Sequence, residues 1–200
     1  MAALSSLVVA DPAELWRDLG FVVGDDGCWI DGTTVQLGGP PDGVTGWTVT
    51  GAGGLDELPV ARAVALAAEP TPVHPNGVTA LDHIVVSTPD LARTIAAFET
   101  AGIGLRRTRE IGREPHAMTQ AFFKLDNTIV EVVGSARDVR PGPARFFGLA
   151  FTVEDLDATA SLLGALLRPA KDAVQRGRRI ATLDHAAGST VPIAFMSPHR

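Results

Sequence analysis

Two stretches of the chain lay out the same order of elements, and this repetition limits the fold more than any other feature. The first runs from strand "ALDHIVVS" through helix "PDLARTIAAFETAG" to strands "GLRRTRE", "MTQAFFKLD" and "TIVEVVG". The second runs from "FFGLAFTV" through "DLDATASLLGALL" to "AKDAVQ", "RRIATLD" and "STVPIAFMS". Both helices open with an acid able to cap the free amides of the first turn, Asp90 and Asp155. Apolar residues then fall three or four apart: Leu91, Ile95 and Phe98 in one copy, Leu156, Ala160 and Leu163 in the other. Each unit is β-α-β-β-β of about sixty residues. One helix covers one face of its strands and leaves the other open. Two units side by side predict an α+β fold: one curved mixed sheet, helices outside, and an open concave face.

Breaker residues set the boundaries. "AAEPTPVHPNG", Ala67 to Gly77, carries three prolines, each removing a backbone donor and turning its predecessor away from helix. A second break falls at "RPGP", Arg140 to Pro143. The predicted organisation is an N-terminal piece and linker over 1–75, then a domain over 76–200 holding units of about 79–137 and 144–198. The N-terminal piece reads as a worn third copy. "SSLVVAD" is a strand and "PAELWRDLG" a helix with proline in its first turn. "FVVGDDGCWIDGTTVQLGG" reads as a hairpin, "GVTGWTVTG" as a strand and "LDELPVARAVALAAE" as a helix.

Composition removes several function classes. A net charge of −6 argues against a general nucleic-acid binder. No apolar run reaches the roughly 18 residues of a membrane-spanning helix. The start "MAALSSLVVADPAELW" has neither the basic region nor the apolar core of a secretory signal, so a cytoplasmic protein is expected. Cys28 is the single cysteine, which excludes an intrachain disulfide and a thiolate cluster, and it reads as a small core hydrophobe. "GAGG" at Gly51 to Gly54 lacks the Lys-Ser/Thr of a phosphate loop. Ser5 and Ser6 have no identifiable base.

The stretches "LDHIVVSTPDLA", "AFFKLDNTIVEVVG" and "GLAFTVEDLDATASLL" resemble the vicinal oxygen chelate superfamily, which includes glyoxalase I, bleomycin-resistance proteins, extradiol dioxygenases and epimerases. The resemblance runs from Leu81 to Ser197 and speaks to fold more than to reaction, because the superfamily spans unrelated chemistries. It implies that each unit offers a metal ligand from its first strand and another from its last. Carried over, His83 and Glu131 are the ligands of the first unit, for a divalent ion such as zinc, manganese, nickel or iron. The second unit departs from the pattern. Gly148 stands the same seven residues before the capping acid, and Pro192 and Ile193 stand where a carboxylate is expected. A third donor would then come from Gln120, His116, His185, the N-terminal copy or another subunit.

The hairpin around Asp126–Asn127 identifies the rest of the cup. Leu125 pairs with Thr128, which sets Phe122 opposite Glu131. Alternation places Gln120, Phe122 and Lys124 on the Glu131 face and turns Ala121, Phe123 and Leu125 towards the helix. The second unit offers Arg178, Ile180 and Thr182 by the same logic, with Arg178 a candidate clamp for a carboxylate or phosphate. Three readings follow. The first is a lyase, isomerase or dioxygenase in which a metal on His83 and Glu131 polarises a small oxygenated substrate while Glu131 or another cup residue moves the proton. The second is a metal-free protein that sequesters a small molecule, with Phe122 and Ile180 as apolar wall and Gln120, Lys124 and Arg178 as orienting groups. In the third, sheet edges form a homodimer and the cup has no part.

Overall fold

The computed structural model describes residues 2–25, 27–61, 72–113 and 117–199. The N-terminal unit consists of β1 (Ala3–Val9), α1 (Ala13–Asp18), β2 (Val23–Gly24), β3 (Gly27–Ile30) and β4 (Thr33–Leu37), followed by β5 (Val44–Thr50). Next come β6 (Val78–Ser87), α2 (Leu91–Thr100), β7 (Leu105–Ile111), β8 (Met118–Lys124) and β9 (Ile129–Gly134). The last unit is β10 (Arg145–Val153), α3 (Leu156–Leu163), β11 (Lys171–Asp172), β12 (Arg179–Thr182) and β13 (Ile193–Met196). Both capping acids act as expected. The Asp90 carboxylate accepts from the Arg93 amide, and that of Asp155 from the amides of Asp157 and Ala158.

All three units share one connectivity. The first strand lies parallel to the last, in β1/β4, β6/β9 and β10/β13, and the middle strands continue outward antiparallel. Antiparallel pairing of β6 with β10 joins the second and third units into one sheet of order β11-β12-β13-β10-β6-β9-β8-β7. The N-terminal unit forms its own sheet, β2-β3-β4-β1-β5. There β5 runs antiparallel to β1 on the flank that β10 takes beside β6. The N-terminal sheet is thus one unit plus the first strand of a further one.

Three expectations change in the N-terminal piece and the last unit. Phe21 to Gly39 holds three short strands rather than one hairpin. The helix expected from Leu55 does not start: Asp56 and Glu57 have φ of 51° and 60°, which a right-handed helix cannot accommodate. Instead Leu55 to Leu58 turn, and Pro59 and Ala61 hydrogen-bond along β5 through the Trp47 backbone. The rest of that expected helix, and most of the proline-rich linker, lie outside the described residues. The strand expected over "AKDAVQ" shrinks to the two residues of β11.

One face of the eight-stranded sheet is covered. α2 packs Phe98 on Phe123, ring centroids 4.5 Å apart. The N-terminal piece adds Trp16 of α1 and Phe21 against Phe151, and Trp47 of β5 against Phe98 and Phe146. Polar clips fix its position. Asn127 donates to the Leu4 carbonyl and accepts from the Leu4 amide. Asp11, fully buried, accepts from Trp16 Nε1, Ser189 Oγ and both the amide and hydroxyl of Thr190. With that face covered, the opposite face of the large sheet is the one left open.

Candidate functional site

The open face carries a cleft of about 410 Å³ lined from both units of the large sheet. The β8–β9 hairpin has the expected register: Leu125 N donates to Thr128 O, and Phe122 lies opposite Glu131. Gln120 and Phe122 therefore join Glu131 in the cleft, while Ala121, Phe123 and Leu125 are buried on the helix side. Lys124 is exposed at the end of β8 and lies outside the cleft lining. Ile180 and Met196 form part of the far wall.

A β-bulge positions His83. Pairing between β6 and β10 runs Leu81↔Phe151 and then His83↔Ala150, leaving Asp82 unpaired. The extra residue lets Asp82 and His83 both leave the core side, while Leu81 and Ile84 stay buried on it. His83 Nδ1 then sits 2.8 Å from Asp82 Oδ1. Burial pushes the Asp82 carboxyl up, but hydrogen bonds from His83 and Arg178, the His83 charge and the Thr152 hydroxyl outweigh it and hold it well below the usual carboxylate range. An ionised carboxylate only accepts, so Nδ1 carries the proton and Nε2 is the nitrogen presented to the cleft. Nε2 lies 3.8 Å from Glu131 Oε2. The other Glu131 oxygen accepts from Gln120 Nε2, and Gln120 Oε1 accepts from Arg109 Nε at 2.8 Å.

Arg178 is not a clamp for a ligand. Its side chain is 1% exposed, and its guanidinium is fully engaged within the protein. Nη2 meets Asp82 Oδ2 at 2.6 Å and donates to Thr152 Oγ1, Nε donates to the Ser197 carbonyl, and Nη1 donates to Gln175 Oε1 beside His199 Nε2. A buried guanidinium needs a counter-charge, and Asp82 is the one within reach. The second unit thus braces His83 from beneath through Asp82.

The donor set of the second unit is absent, as expected, but one position is corrected. Ile84 pairs with Val130 and Leu149 with Ile193, so the counterpart of Glu131 is Ala194 rather than Pro192 or Ile193. Ile193 is buried on the core side. A Cβ built on Gly148 would lie 2.8 Å from the Pro192 carbonyl oxygen, so the second unit's counterpart of the His83 position is closed to any side chain without a backbone shift. Among the described residues no group of three His, Cys, Asp or Glu can hold a metal. His185 lies in a 3-10 turn away from the cleft lining, and His116 lies outside the described residues. Zinc and non-haem iron sites take at least three protein donors. His83 Nε2 and Glu131 Oε2 supply two, so the described residues do not fit a tightly held resident ion.

Several lining residues escaped the sequence reading. Arg107 and Arg109 reach the cleft from β7 because they pair with Phe122 and Gln120 across the β7–β8 ladder. Extending the alternation of β8 one strand outward would have found both. Lys171, Asp172 and Val174, from β11 and the loop after it, lie beyond any periodic signal.

No family model and no curated protein matches the chain. Among solved structures, a methylmalonyl-CoA epimerase from Mycobacterium tuberculosis is 20% identical, with 68% of this chain and 94% of that one covered and a TM-score of 0.47. A Streptomyces coelicolor methylmalonyl-CoA epimerase in complex with 2-nitronate-propionyl-CoA is also 20% identical, covering 62% and 99%, with a TM-score of 0.49. A hypothetical protein from Bacillus halodurans is 14% identical, covering 60% and 94%, with a TM-score of 0.46. These likenesses concern the fold alone. The chain itself shows an α+β fold of paired β-α-β-β-β units joined in one mixed sheet, the architecture that the sequence resemblance to the vicinal oxygen chelate superfamily implied.

Proposed function

We propose that the cleft is a metal-free binding site for a small molecule. The observation that carries this reading is the half-set of donors. His83 and Glu131 remain, but Asp82 and Gln120 already engage them, and the matching positions are Gly148 and Ala194. What the cleft offers a ligand is His83 Nε2 and Glu131 Oε2 on its floor, Phe122, Ile180 and Met196 as apolar surface, and guanidinium groups on one side. That mixture of apolar wall with a few fixed polar groups is the usual make-up of a small-molecule site.

A second reading, a metal-assisted lyase, isomerase or dioxygenase, is favoured by one observation. His83 Nε2 and Glu131 Oε2 face the same cleft 3.8 Å apart. That enzyme needs a further donor, for which the sequence offers Gln120, His116, the N-terminal copy or another subunit. Elemental mass spectrometry after dialysis in zinc, manganese, nickel and iron(II) separates the two. Sub-stoichiometric metal in every case is expected. Stoichiometric metal in the wild type that disappears in His83→Ala/Glu131→Ala would overturn the metal-free reading.

A further inference from the structure

Resting on that reading of the cleft, we infer that its ligand carries an oxyanion, a carboxylate or phosphate, seated against Arg107 and Arg109. Both arginines come from one face of β7, two residues apart. The Arg107 guanidinium carbon lies 4.5 Å from the Phe122 ring centroid and that of Arg109 lies 5.7 Å away. Stacking holds a guanidinium plane in place while leaving its edge donors free. Arg109 is held further by Gln120, whose Oε1 takes both its Nε and its Nη2, so Nη1 is the nitrogen it keeps for a ligand, and the Arg107 guanidinium has no hydrogen-bond acceptor among the described residues. Arg93, Arg168 and Arg179 each hold a carboxylate. Among the described residues no carboxylate lies within ion-pair distance of Arg107, Arg109 or Lys171, which faces them from β11.

Two carboxylates do share the cleft. Glu131 is tied to Gln120 on the floor, and Asp172 is exposed on the β11 rim. Neither neutralises the arginine pair. A protein gains little by orienting two adjacent cations on an aromatic face with no counter-charge, unless an anion arrives from outside. The uncommitted Arg107 fork suits bidentate contact with a planar or tetrahedral oxyanion, and Arg109 Nη1, two residues along the strand, adds a further donor. Val174, Ile180 and Met196 across the cleft call for an apolar body behind the charged group.

Calorimetric titration of the full chain with benzoate, phenyl phosphate and uncharged benzamide tests this. At least one anion is expected to bind roughly tenfold or more tightly than benzamide, the scale of a charged hydrogen bond. The tighter of the two anions identifies the source, carboxylate or phosphate. Arg107→Gln and Arg109→Gln should each remove most of that advantage with no change in melting temperature. Benzamide binding as tightly as both anions, or unchanged anion affinity in both variants, would overturn the inference. So would failure of both anions to bind. Ile180→Trp, which fills the opposite wall, distinguishes this from failure of the cleft reading itself. Loss of all probes in that variant keeps the cleft as the site whatever the charge preference, and unaltered binding would sink both.

Discussion

At the scale of single residues, the cleft floor depends on a charge the sequence assigned to another task. Arg178 and Asp82 are a buried pair whose partners are all internal, so removing one leaves the other uncompensated. Arg178→Met should cost roughly 3–5 kcal/mol in urea unfolding, the range for one half of a buried pair. Adding Asp82→Asn should return part of that loss. An unchanged midpoint for Arg178→Met would show that the guanidinium is solvated in solution. The pair also has an acid signature. Because the Asp82 carboxyl is held below its ordinary 3.8 in the folded chain, its contribution is fully present above that value and is lost as pH falls beneath it. Unfolding free energy measured across that acid range should fall more steeply for the wild type than for Asp82→Asn. Equal slopes would contradict the assignment.

At the scale of elements, much could be read in advance because periodicity and capping are local signals. The capped helices, the repeated order of strands and the Asp126–Asn127 turn all follow from neighbouring residues, and the turn alone gave the face of Gln120, Phe122 and Glu131. The losses come from events that break a period. The bulge at Asp82 puts two successive residues on one side, where strict alternation sends Asp82 to the other. Alignment of "TIVEVV" with "TVPIAF" by their threonines sets Ile193 under Glu131, but the parallel ladder sets it under Val130. Arg178 looked like a cleft residue because it precedes Ile180 by two, yet it lies just before β12 begins and turns inward. Close approach of β10 to β13 is equally invisible in the sequence. Gly148→Ala should cost roughly 1–3 kcal/mol in urea unfolding, as overpacking does. A neutral result would show that the Pro192 backbone yields easily.

At the scale of the whole molecule, the aromatic cluster of Trp16, Phe21 and Phe151 and the clips at Asp11 and Asn127 tie the two sheets into one core. All three tryptophans, Trp16, Trp29 and Trp47, belong to the N-terminal piece, so their fluorescence reports on that piece while circular dichroism reports on both sheets. Coincident urea transitions by the two probes are expected, and Phe151→Ala should move both together by roughly 3–5 kcal/mol. Separated transitions would show that the sheets unfold independently. His74 adds a pH dependence to the joint. Its Nδ1 accepts from the Val22 amide and its Nε2 faces the Trp29 carbonyl, an arrangement that requires the neutral ring. Burial pushes its pKa below the ordinary 6.5 against the raising effect of that carbonyl. Its contribution is therefore complete above 6.5 and drains as pH falls below it. The melting temperature should drop more between about pH 7 and pH 5 in the wild type than in His74→Gln, and equal drops would refute this.

The unequal halves of the large sheet have a geometric consequence. Two like units related by a pseudo-two-fold would offer a guest two equivalent poses, one the reverse of the other. Here one half presents His83, Glu131 and the arginine pair, while the other presents Val174, Ile180 and Met196 with Lys171 and Asp172 at its β11 rim. The duplication has lost its ambiguity: on the proposed reading of the cleft, a guest has a head at the arginine pair and a tail across from it.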